Sequence, residues 1–239
     1  MFAITFVNAQ ETMYIYKNGS IIGQHELNQV DSVIFYKPEV PNENSVTDID
    51  GNVYKTVVIG TQTWMAENLR TTKYNDGTEI PNIKDGITWS ELTTGAYCWY
   101  ENDEASYKEP YGGLYNWYVV ETGKLCPSGW HVPSNSDWET LINYLGGNAD
   151  VIGGMLKEVS LKHWNSPNTG ATNDSGFTAL SIGYRDWYSG TFNNKGYYNS
   201  WWSTTLVSYI SLHYDDSRLG FYKEREKEWG FNVRCIKGF

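Results

Sequence analysis

One well-marked helix constrains this chain more than any other feature. Residues 125 to 147 read LCPSGWHVPSNSDWETLINYLGG, in which Ser134 stands as an N-cap and Asp137 completes an acidic form of the capping box. Trp138, Leu141, Ile142 and Leu145 fall on one helical face, and Gly146-Gly147 supplies the left-handed stop. No other segment of the 239 residues combines a start, a stripe and a stop. The remainder is aromatic and punctuated by glycine, with 11 Trp, 19 Tyr and 23 Gly, and reads as short strands and long loops.

That texture bounds the function. A formal net charge of −10 argues against nucleic-acid and anionic-membrane partners, which need clustered Lys and Arg. No apolar run approaches the roughly 18 residues of a membrane span. Tyr and Trp join a large apolar face to one polar atom, which suits half-buried surfaces and binding grooves. The low charged fraction and the many glycines fit a loop-rich extracellular domain. Cys98, Cys126 and Cys235 show no zinc-site spacing, so no metal site is expected from them, and one disulfide plus one buried thiol is the plainest arrangement in an exported chain.

Residues 1–10 carry a short apolar run ending Val7-Asn8-Ala9-Gln10, which reads as the residual tail of a secretory signal peptide, with an ordinary first strand as the alternative. Residues 11–37 form a small β-rich unit. In it Met13 to Tyr16 is β-prone, Asn18-Gly19 is a hairpin signal, Ser20 to His25 returns, and Ser32 to Tyr36 adds a third strand. Leu27 and Val30 bracket one possible helical turn, and residues 38–47 read as a linker.

The main domain occupies residues 48–239. Its expected strands are Val53 to Ile59, Thr63 to Met65, Ala96 to Tyr100, Phe177 to Leu180, Gly183 to Arg185, Ser200 to Leu206, Tyr209 to Tyr214 and Phe231 to Ile236. Besides the capped helix, Leu114 to Val120 and Asp150 to Glu158 read as short helices, the latter weakened by Gly153-Gly154. Two or three helices followed by antiparallel strands define an α+β domain.

These pieces, taken in order, resemble the Fibrobacter succinogenes major paralogous domain. The matching segments are DIDGNVYKTVVIGTQTWMAENL (48 to 69), YCWYEND (97 to 103), YGGLYNWYVV (111 to 120), LCPSGWHVPSNSDWETL (125 to 141), NDSGFTAL (173 to 180), GYR (183 to 185), WWSTT (201 to 205) and VRCIK (233 to 237). That family occurs on secreted and surface proteins, mainly of Bacteroidetes and Fibrobacteres, and no enzymatic activity is established for it. Its pattern is distantly similar to C-type lectin-like domains and to formylglycine-generating enzymes. The resemblance implies a C-type lectin-like fold whose first and last strands pair. It also implies a disulfide between Cys126, just before the main helix, and Cys235 on the last strand, leaving Cys98 in the core; two buried thiols are the alternative.

The same resemblance implies no catalytic residues. Formylglycine-generating enzymes need a reactive cysteine pair late in the domain, whereas Cys235 is the only late cysteine here. None of the four histidines sits in a catalytic motif, and His131 reads as packed. Asp48-x-Asp50-Gly51-Asn52 invites calcium, but it lacks the full ligand ladder and also reads as a turn, so no cofactor is expected.

Candidate ligand-binding residues are Trp187, Tyr188, Phe192, Tyr197 and Tyr198, aromatic rings among Gly, Asn and Ser, with a lid over the core as the alternative. Trp64, Trp117, Trp130, Trp138, Trp201 and Trp202 sit on periodic elements and read as core. The functional expectation is a secreted or cell-surface, non-enzymatic binding module for a glycan or a surface protein, with roles in carbohydrate binding or adhesion. A structural display or assembly domain is the alternative, and an enzyme of the sulfatase-modifying fold comes third.

Overall fold

The computed structural model describes residues 12–17, 20–26 and 44–238. The chain divides into two compact units, Met1–Val40 and Pro41–Phe239. In the first, β1 (Thr12–Lys17) pairs antiparallel with β2 (Ser20–Glu26), Thr12 opposite Glu26 and Lys17 opposite Ser20. The leader segment 1–10, the Asn18-Gly19 turn, the 27–30 turn, the third strand at 32–36 and most of the linker lie outside the described residues.

The second unit is a mixed α+β domain with mostly antiparallel sheets and few helices. It opens with β3 (Ser45–Thr47), β4 (Val53–Ile59) and β5 (Gln62–Met65). Ser45–Thr47 falls in the stretch read as linker, yet it pairs with β4 from Ser45 opposite Lys55 to Thr47 opposite Val53. Next come α1 (Gly86–Ser90), β6 (Tyr97–Cys98), α2 (Glu104–Tyr111), β7 (Leu114–Tyr115), α3 (Trp117–Val120) and β8 (Trp130–His131). Helices α4 (Asn135–Tyr144) and α5 (Ala149–Leu156) follow. The rest is β9 (Tyr184–Arg185), β10 (Phe192–Asn193), β11 (Tyr198–Ser203), β12 (Ser208–His213), β13 (Gly220–Tyr222) and β14 (Ile236–Lys237).

The main sheet has the order β3-β4-β5-β14-β8, so the last strand sits inside it, Ile236 facing Trp64 on one side and His131 on the other. A second sheet has the order β11-β12-β13. Single bridges, Tyr115 with Phe231 and Trp201 with Asn232, tie the segment before β14 to β7 and β11.

Local chemistry explains where the helices fall. In α4 the Ser134 hydroxyl accepts from the Asp137 N–H while the Asp137 carboxylate accepts from the Ser134 N–H at 2.8 Å, the reciprocal capping box. The expected helix at 114–120 is shorter: Leu114 and Tyr115 pair with β6, and the Asn116 side chain caps a single turn by accepting from the Val119 N–H. Two helices have caps but no apolar stripe for sequence periodicity to detect. Asp85 caps α1 through the Thr88 N–H, and Asp103 caps α2 through the Ser106 N–H. Residues 177–180, expected as a strand, contribute only a bridge from Ala179 to Lys157.

Glycines 153 and 154 have a packing reason. A Cβ at Gly153 would run into the Arg218 carbonyl and one at Gly154 into the Gly170 carbonyl, so α5 lies directly on two loop backbones.

Three buried clusters fill the core, a small one around Trp89, Tyr100, Tyr111 and Leu114 and two larger ones. One groups Trp64, Trp138, Phe177 and Trp201 with α4 and α5 residues such as Leu141 and Ile152. The other gathers Trp202, Phe231, Val233 and the cysteines 126 and 235. Trp64, Trp138, Trp201 and Trp202 are buried, whereas Trp117 and Trp130 are only partly so and pack against the second cluster's edge.

Between the clusters lies a buried polar network. The Asn68 carbonyl accepts from the Trp201 indole N–H at 2.8 Å and from the Arg234 guanidinium at 3.1 and 2.7 Å, while its amide donates to Asn232 and to the Tyr111 carbonyl. Asn232 donates in turn to the Tyr111 and Gly113 carbonyls and accepts from Asn199. Polar groups buried this deeply are tolerated because each finds a partner. Asn68, Tyr111, Trp201 and Arg234 bring four of the family-like segments together here.

Candidate functional site

Strand alternation aims the aromatic side chains of the second sheet. On β11 and β12, Tyr198 faces His213, Ser200 faces Ser211, and Trp202 faces Tyr209; paired residues share a face, and every second position returns to it. Tyr222 on β13 continues the row by stacking on Tyr209 at 4.9 Å. The inner end of this face is buried by Trp202 and Phe231, while the outer end opens into a groove.

The groove has a volume of about 420 Å³ and is walled by Tyr184, Tyr198, Tyr209, Tyr214, Trp229 and Phe231. Tyr184 meets Tyr198 edge-on at 5.7 Å and Trp229 at 5.0 Å, and Trp229 stacks on Phe231 at 5.4 Å. Tyr197 adds a half-exposed ring edge-on to Tyr214 at 5.0 Å. Polar groups along the rim are Asn194, His213 and Asp215. Such a mixture of apolar walls and a few convergent polar groups is what small-ligand sites require.

A second groove of about 500 Å³ adjoins the first and shares His213 and Asp215 with it. Its other charged groups are Asp150, Asp216 and Arg218. The loop between β12 and β13 that forms this wall is held from beneath by Lys157. The ammonium of Lys157 donates to the carbonyls of Thr169, His213 and Asp216 at 2.8, 3.0 and 2.9 Å. Burial pulls Lys157 down to about 8, with Asp216 and Asp215 opposing the shift. Burial likewise holds His213 below its ordinary value, its ring lying edge-on to Tyr198 at 4.4 Å. Burial, and then the Tyr198 hydroxyl, push the Tyr209 phenol upward.

The five aromatic residues singled out in the sequence separate in space. Tyr197 and Tyr198 line the groove. Trp187 and Tyr188 form a pair at 5.5 Å on a loop whose turn is closed by Asp186, and Tyr188 is 76% exposed. Phe192 instead packs between the Tyr100 ring at 5.2 Å and the buried Arg185 guanidinium at 4.9 Å, supporting the core. The sequence reading did not single out Tyr184, Tyr209, Tyr214, Trp229 and Phe231 as site residues. The alternation of Tyr209, Ser211 and His213 was the available signal for part of this set.

Other candidates resolve into architecture. Asp48 accepts from the Asp50 and Asn52 N–H groups, the Asn52 amide and the Tyr54 hydroxyl. Asp50 accepts from Thr71 and Thr72 and pairs with Lys73 at 3.3 Å. Both carboxylates of the possible calcium loop thus hold a corner together. Among the described residues, no group of three or more His, Cys, Asp or Glu side chains is arranged to hold a metal ion. His131 is partly exposed with Nε2 3.4 Å from the Asp137 carboxylate. Cys126 and Cys235 form a disulfide, and Cys98 is a buried free thiol that burial pushes up to about 12.

An α+β domain clasped by one disulfide, with an aromatic groove on its second sheet, is the class this geometry defines. The chain belongs to the Fibrobacter succinogenes major domain family, which it matches over residues 57–237. No curated protein and no solved structure matches it. Among the described residues no helix is long and apolar enough to cross a membrane.

Proposed function

We propose that this chain is an exported, non-enzymatic binding module of C-type lectin-like fold that takes a glycan in its aromatic groove. The observation that carries the reading is the groove itself, seven Tyr, Trp and Phe rings with Asn194, His213 and Asp215 at their edge. Sugar rings present C–H faces that stack on Tyr and Trp, and their hydroxyls use polar groups at the rim. The insertion of β14 between β5 and β8 supports the lectin-like comparison. The 126–235 disulfide supports both that comparison and export, since such bonds persist in oxidising compartments. Glycan-array screening of the full chain with and without calcium tests the proposal. Binding that is independent of calcium and abolished by Trp229→Ala supports it; silence under both conditions rejects it. The separate N-terminal unit favours a second reading, a display or assembly domain docked through residues 1–40, which a silent array would bring forward.

A further inference from the structure

We propose that the two adjoining grooves are one continuous site whose ligand is a sugar chain carrying free amino groups. This deepens the glycan reading above and rests on it. The grooves share His213 and Asp215, so a linear ligand stacked on Trp229 and Tyr184 runs past these residues toward Gly220 and Arg218.

Two unpaired hydroxyls lie buried on the strands beneath the grooves. Ser200 and Ser211 are cross-strand partners, fully buried, and neither hydroxyl has a hydrogen-bond partner. Ser211 lies between Tyr209 and His213 on β12, two residues from each, so its side chain points to the groove face with theirs. Its partner on β13 is Gly220, which lines the second groove. A Cβ at Gly220 would lie 2.8 Å from the Tyr222 ring and 3.3 Å from the Ser211 hydroxyl, so the Tyr222 ring lies beside that hydroxyl over the glycine. A buried hydroxyl without a partner is costly, and a polyhydroxylated ligand that displaces the Tyr222 ring supplies one.

Charge at the open end selects the ligand's sign. Asp215 accepts no hydrogen bond and makes no ion pair among the described residues. The one guanidinium in the groove, Arg218, is bound by Asp216 through both its side chain and its backbone N–H. The Lys157 ammonium is taken up by three carbonyls below the groove floor. Asp150, Asp215 and Asp216 therefore outnumber Arg218 and the Lys157 ammonium beneath them, on a chain of net charge −10. An ammonium on a sugar ring is drawn to this end, whereas a uronate or sulfate is repelled.

The test compares three tetrasaccharides on the full chain by titration calorimetry: glucosamine, N-acetylglucosamine and galacturonate. Mildly acidic buffer keeps the sugar amine charged. The glucosamine chain is expected to bind about tenfold more tightly than its acetylated form, a preference that added salt weakens, with no galacturonate binding. Asp215→Asn, at an exposed residue without hydrogen bonds, is expected to reduce the glucosamine-to-acetyl affinity ratio to about one. Equal affinities in the wild type, or a ratio that Asp215→Asn leaves unchanged, overturns the amine assignment while leaving the glycan reading intact. Binding of none of the three, with the array also silent, overturns both.

Discussion

Arg234 and Asn68 stand 166 residues apart in the chain and meet at 2.7 Å, guanidinium to amide carbonyl. The arginine is completely buried and also donates to the Phe177 carbonyl. The guanidinium is thus held in the core by amide carbonyls and by the Phe177 ring 4.1 Å away, with the Glu67 charge opposing the burial that lowers it to about 9. Asn68→Ala removes its main acceptor and leaves the Trp201 indole unpaired as well. At about 1–3 kcal/mol for each buried polar group stranded, and more for a charged one, the loss should exceed about 3 kcal/mol. Urea unfolding followed by tryptophan fluorescence measures it; a loss below about 1 kcal/mol would show that water replaces the amide.

Reduction of the disulfide should weaken the domain strongly. The bond joins cysteines 109 residues apart, and in the chain-entropy model a loop of that size is worth about 4–5 kcal/mol. The Cys126→Ser, Cys235→Ser double variant should therefore unfold at much lower urea than the oxidised wild type. Cys98 should resist alkylation until the domain opens, because burial keeps its thiol protonated up to about 12. Rapid labelling of Cys98 in the native oxidised chain would contradict this burial.

Gly154→Ala is expected to destabilise although alanine is the better helix former. The helix gain of about 1 kcal/mol is outweighed by the collision of the new methyl with the Gly170 carbonyl, a rigid backbone atom. A net loss of about 1–3 kcal/mol is the forecast, read as a lower midpoint in thermal unfolding. A stabilised variant would mean that α5 does not rest on that loop.

Stability should fall on the acid side partly through His213. Burial holds its folded value below the ordinary 6.5, so the unfolded chain takes up the proton first as pH falls. The contribution is present above about 6.5 and is lost progressively below it. Urea midpoints measured for the wild type and for His213→Gln across that range should diverge, the variant showing the shallower decline. Parallel curves would mean that the ring is as solvated in the fold as in the unfolded chain.

How much of this was legible beforehand depended on whether a residue's role was local. The α4 capping box, the β4 strand and the glycine stop are decided within a few residues, and the sequence reading located all three. The order of the main sheet is not, because β14 contributes only Ile236 and Lys237 and owes its place to partners at Trp64 and His131. The groove was half legible. Tyr197 and Tyr198 stood out among polar neighbours, whereas Tyr184 and the 229–231 segment are far apart in sequence and meet through the bridge of Arg185 with Gly230. Phe192 looked identical to them in sequence, and only the buried Arg185 guanidinium beside it explains why it faces inward.

The central place of β14 has a consequence for the order of assembly. Strands β5 and β8 do not pair with each other; the gap between them is filled by residues 236 and 237. Cys235, one residue earlier, is half of the clasp. A ribosome that has yet to release these residues therefore holds a chain whose two half-sheets cannot join and whose disulfide cannot form. Closure of the main sheet waits until residues 235 to 237 have emerged.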